Sequence, residues 1–88
     1  MNTDTTIKGT IYIAPGNSQC RVYAIPYRMR PGQGPADILP EYQRDWKLAA
    51  ILDHKLDIVC LEPEFRHEKM NIEGNMSGTF FEAEWAVA

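Results

Sequence analysis

Two β-rich runs joined by a turn, within residues 6–28, narrow the fold more than any other feature of the chain. "TIKGTIYIA" (6–14) alternates, with Ile7, Ile11 and Ile13 on one face and Lys8, Thr10 and Tyr12 on the other. A period of two in β-branched and aromatic residues suits a pleated, half-buried strand. "PGNSQ" (15–19) concentrates turn formers, and "CRVYAIPYR" (20–28) supplies the second run, so the pair reads as an antiparallel hairpin. Pro26 has no N–H to give a ladder, which places the end of this strand at a sheet edge or a bulge.

The next segment carries a different period. In "DILPEYQRDWKLAAILDHKL", residues Tyr42, Trp46, Ala49, Leu52 and Leu56 recur at spacings of three and four, with Leu48 and Ile51 widening the stripe. This predicts a helix from about Pro40 to His54, with Pro40 in its first turn and Glu41 near the positive end of its dipole. "LDIVCLE" (56–62) reads as a short central strand ended by Pro63, and "FRHEKMNIE" (65–73) as a strand or one helical turn. In "GTFFEAEWAVA", Thr79, Phe81, Ala83, Trp85 and Val87 share a face, as in an amphipathic strand. The expected fold is therefore α+β. A small antiparallel sheet, made of the N-terminal hairpin plus two or three C-terminal strands, carries one helix (about 40–54) packed on a face.

Eighty-eight residues suffice for one small domain, here 1–88, and not for two. Leu, Ile, Val and Phe number 19, enough to place the chain among folding rather than disordered sequences. So small a core leaves a thin stability margin, which makes homodimer formation a natural way to gain burial. Cys20 and Cys60 both lie in apolar runs, and "MNTDTTIKGT" has neither a basic nor an apolar leader region. These features point to a reducing, cytoplasmic setting, and no apolar run is long enough to span a membrane as a helix.

The net charge of −3 is unevenly spread. Lys8, Arg21, Arg28 and Arg30 fall in a stretch without acids between Asp4 and Asp37, whereas from residue 36 onward eleven acids meet five bases. Nucleic-acid binding is disfavoured, because it calls for a basic footprint across a face. A basic patch on an acidic body is compatible with this pattern.

That patch centres on "YRMRPGQGPAD" (27–37). Arg28 and Arg30, two apart, would point the same way on extended backbone and could fork onto a phosphate or carboxylate. Gly32 and Gly34 would admit an anion to the backbone, and Tyr23 and Tyr27 could stack on a ring. No glycine-rich phosphate motif is present, however. The soft ligands Cys20, His54, Cys60 and His67 lack the close pairing of structural zinc sites, so neither a metal nor a cofactor is expected. Asp57, Glu62 and Glu64 near a strand end faintly resemble a metal-dependent hydrolase constellation, though without its lysine. Neither serine lies in a nucleophile motif, and no catalytic residue is assigned.

The reading that follows is a small non-enzymatic interaction or regulatory protein, inhibitor- or adaptor-like, that binds another protein. Tyr23, Tyr27, Arg28, Arg30 and Gln33 are its expected contact residues, since Tyr and Arg favour such surfaces. The alternative is binding of a small phosphorylated ligand or nucleotide through the Arg28/Arg30 loop. A hydrolase using Asp57, Glu62 and Glu64 ranks below both.

Overall fold

A computed structural model describes residues 5–53, 55, 57–62, 65 and 77–87. Five strands are present: β1 (Thr5–Ala14), β2 (Gln19–Ile25), β3 (Lys47–Asp53), β4 (Ile58–Leu61) and β5 (Phe80–Val87). They form one sheet in the order β4-β3-β2-β1-β5, every neighbouring pair antiparallel.

The hairpin of β1 and β2 forms with Ile11 opposite Ala24 and Ile13 opposite Val22. Its alternating pattern fixes which face is buried. Ile11 and Ile13 point into the core with Cys20, Val22 and Ala24, followed by Ala50 and Leu52 of β3 and Trp85 of β5. On β5, Phe81 and Ala83 extend the same face, as its alternation predicts. Fully burying a side chain of the size of Ile13, Val22 or Leu52 contributes about 1.5–3 kcal/mol.

The expected α+β fold with a helix over about 40–54 is not what forms. Residues Pro40–Asp45 make a short 3-10 turn, Trp46 is extended (φ −73°, ψ 140°), and Lys47–Asp53 is strand β3. The apolar residues from Leu48 to Leu52 are contiguous, so they fit a strand covered on both sides as well as a helical stripe. Pairing with β2 on one side and β4 on the other satisfies the backbone of β3 and overrides the helix propensity of Lys, Leu and Ala. Tyr42, assigned to the buried stripe, is 62% exposed. His54 and Leu56 lie outside the described residues, as does the 65–73 segment apart from Phe65. β4 is also an edge strand rather than a central one, with Ile58, Val59 and Cys60 exposed.

Two register shifts bend the sheet. Val22 faces Ala50 but Tyr23 faces Leu48, leaving Ala49 as an extra residue on β3; Val59 is likewise extra on β4. Such bulges increase local twist and coil. The curl is large enough that Phe65, just beyond β4, meets Trp85 on β5 at a ring separation of 6.1 Å. Residues flanking the two ends of the strand order thus close over one core.

Gly9 makes this closure fit. A Cβ there would lie 2.1 Å from the Ile25 carbonyl oxygen and 2.6 Å from the Trp85 indole. Trp85 occupies the space that a side chain on β1 would fill. Gly9→Ala is expected to destabilise the protein by about 1–3 kcal/mol, because a backbone oxygen cannot swing aside. In a domain this small each kcal/mol lowers the melting midpoint by about 4–8 °C, and an unchanged midpoint would contradict the close approach. Far-UV circular dichroism should show a sheet-dominated spectrum; a strong helical double minimum would restore the helix over 40–54.

Candidate functional site

The connector from β2 to β3, residues 26–46, is long for a link between adjacent antiparallel strands. It lies across the face of the sheet opposite the main core, and its attachment begins with an aromatic row. Tyr23, Tyr12 and Phe80 are register partners across β2, β1 and β5, so their side chains sit side by side. Trp46, the last residue of the connector, packs on two of them, 5.9 Å edge-on from Tyr12 and 5.8 Å from Tyr23. Its indole N–H donates to the Tyr27 hydroxyl at 3.0 Å, tying the two ends of the connector together.

Further contacts hold the middle. Thr10, only 1% exposed, donates its hydroxyl proton to the Tyr27 carbonyl at 2.9 Å. Pro35 is buried, and Gly34 lies against Phe80, where a Cβ would be 3.3 Å from the ring. The Asp37 carboxylate accepts the Gly34 N–H at 3.0 Å, while the Asp37 N–H donates back to the Gly34 carbonyl at 3.0 Å. Gln43 donates to the Ile38 carbonyl at 2.7 Å. Gly32, at φ +80°, takes the left-handed conformation that turns the chain at Pro31–Gly32. Among the described residues no buried side-chain polar atom lacks a partner.

This scaffold forms an open groove of about 820 Å³ along its outer surface. Tyr27, Arg28, Arg30 and Gln33, four of the five residues singled out from sequence, line it together. Tyr23 does not; its ring is spent in the aromatic row beneath Trp46. Leu39 and Tyr42, absent from the sequence-derived set, line the same groove and are 56% and 62% exposed. The helical reading of 40–54 turned Tyr42 inward, and Leu39 precedes that segment without a local signal.

The electrostatics are mixed. The Arg28 guanidinium lies 3.7 Å from Glu82 on β5, and both side chains are well exposed. Asp37 and Asp45 line the groove together with the arginines. A phosphate site built from Arg28 and Arg30 would have to outcompete Glu82 for Arg28. The lining instead combines apolar, cationic and anionic groups on one surface.

Of the hydrolase constellation, the two described members, Asp57 and Glu62, are not brought together. Asp57 and Glu62 flank β4 at opposite ends, so about 16 Å of strand separates them, and Glu64 lies outside the described residues. Among the described residues no group of three or more His, Cys, Asp or Glu side chains could hold a metal ion. Cys20 is buried and Cys60 exposed, both as free thiols, and His54 and His67 lie outside the described residues. None of the described helical segments is long and apolar enough to cross a membrane.

No protein-family model matches the sequence, no curated protein matches it, and no solved structure matches it. The geometry of the connector is thus the basis for a functional reading.

The Trp46–Tyr27 hydrogen bond should couple the connector's ends. In a double-mutant cycle, Trp46→Phe and Tyr27→Phe are expected to show an interaction energy of about 1 kcal/mol by urea unfolding. Strict additivity would show that the bond contributes nothing to holding the connector.

Proposed function

We propose that this chain is a small non-enzymatic interaction protein that docks another protein through the connector groove. The observation that carries the reading is the exposure of Leu39 and Tyr42 on a connector fastened to the sheet, beside Arg28 and Arg30. A backbone already fastened to the sheet loses little further freedom on binding, and Tyr and Arg are favoured anchors at protein interfaces. The mixed charge of the lining supports a peptide or protein surface, whose own charges are mixed, over a compact polyanion. The setting proposed is the cytoplasm, in keeping with two free thiols of which one is exposed.

A second reading, binding of a phosphorylated small molecule, rests on Arg28 and Arg30 lining the same groove. A homodimer remains compatible with either reading, and sedimentation of the purified protein reports it directly.

Replacing Tyr42 with a photo-crosslinking phenylalanine should yield a discrete adduct with one protein in extracts of the native cell. Leu39→Asp should abolish that adduct, and the same crosslinker at Lys55 should not form it. Adducts that ignore Leu39, or that arise equally from both positions, would sink the docking reading. In parallel, nucleotides and inorganic phosphate are expected to leave the melting midpoint unmoved. A rise worth about 2.7 kcal/mol at a hundredfold excess over Kd, absent from the Arg28→Ala/Arg30→Ala variant, would replace the protein partner with a phosphorylated ligand.

A further inference from the structure

The connector groove does not end at Arg30. A second depression of about 510 Å³ opens on the other side, bounded by Met29, Pro31, Gly32 and the β5 residues Phe80, Phe81 and Glu82. Arg30 and Gln33 line both depressions. Arg30 and Gln33 therefore form the saddle at which the two depressions adjoin. Apolar surface lies at each end: Leu39 and Tyr42 on one side, exposed Phe80 on the other.

Charge divides unevenly along the two depressions. Arg28 is offset by Glu82, and Asp37 is engaged by the Gly34 N–H. Among the described residues the Arg30 guanidinium makes no ion pair, and Arg30 lines both depressions. Gln33 is held beside it, its N–H donating to the Arg30 carbonyl at 2.9 Å and its side-chain oxygen accepting the Arg30 N–H at 3.5 Å. Asp37 and Asp45 supply negative charge to the first depression, and Glu82 to the second.

We propose that the Arg30 saddle receives an anionic side chain from an extended segment of a protein partner, whose flanking apolar residues rest on Leu39 and Tyr42 on one side and on Phe80 on the other. The inference rests on the docking reading and specifies the partner's chemistry. An extended segment suits two adjoining depressions, because its side chains step at about 3.3 Å per residue and reach several pockets in turn. A carboxylate or a phosphorylated side chain would meet Arg30 through paired N–H donors.

The test uses fluorescent peptides with an apolar residue on either side of a varied centre: Glu, phosphoserine, Gln or Lys. Anisotropy titrations with the wild type and with Arg30→Glu give the affinities. An anionic centre should bind at least about tenfold more tightly than Gln, and Arg30→Glu should reverse the order so that Lys is preferred. A reversal cannot arise from misfolding, and the ranking of Glu against phosphoserine identifies the source of the charge. If peptides bind through Leu39 and Tyr42 whatever their centre, the Arg30 inference is overturned while the docking reading survives. If no peptide binds but the Tyr42 crosslink still forms, the partner presents a folded surface and the extended segment is wrong. If inorganic phosphate alone raises the wild-type midpoint and spares Arg30→Glu, the saddle is a small-anion site and the peptide is again excluded.

Discussion

The packing of Trp46 on Tyr12 and Tyr23 is the contact on which the candidate site depends. A segment as long as 26–46 would ordinarily sample many conformations, and fixing each residue costs about 1–2 kcal/mol of backbone entropy. Trp46 offsets that cost where the connector rejoins the sheet, and its N–H reaches back to Tyr27 where the connector leaves. Both ends are thus held by one indole. The Thr10 hydroxyl, Pro35 and the Gly34–Phe80 contact then order the span between them. Arg30, Leu39 and Tyr42 occupy defined places because they ride on this span. The sheet's second face, which in a simple meander would be left to solvent, has become the foundation of a surface.

How much of this was legible in the sequence depended on whether the determining contacts were local. Ile7, Ile11 and Ile13 announce β1 because alternation is a property of consecutive residues, and Phe81, Ala83 and Trp85 announce β5 for the same reason. β3 was lost because Leu48–Leu52 is an unbroken apolar run, whose residues fall on a helical stripe as readily as on a two-sided strand. What selects the strand is the ladder of β2 and β4 on either side, and no local pattern records it. The same error concealed Tyr42 in the candidate site. Tyr27, Arg28, Arg30 and Gln33 stand out by composition, whereas Tyr42 is turned inward by a helix that does not form and Leu39, just before it, carries no local signal. Tyr23 stands apart from the groove for a related reason, since the long-range arrival of Trp46 places its ring in the aromatic row.

The separation of charge along the chain finds a physical use in the fold. The basic first part and the acidic last strand are brought together when β5 pairs with β1. Lys8 lies opposite Glu84 in that register, Thr6 donates to Glu84 at 3.1 Å, and Arg28 reaches Glu82. These pairs are exposed, so each contributes well under about 1 kcal/mol to stability. Their value lies in discrimination. A one-residue slip of β5 would turn Trp85 outward and also separate the charges, so packing and electrostatics penalise the same misregister.

Pairing of the first strand with the last has one more effect. Thr5 and Val87 are register partners, so the backbone enters and leaves the domain at adjacent points, separated by about 5 Å. A host polypeptide could run in at one and out at the other with almost no detour, much as a bud stands on its stem. Sequence placed before and after the sheet would emerge side by side at one corner of the molecule, where little ordering is needed to accommodate a domain within another chain's loop.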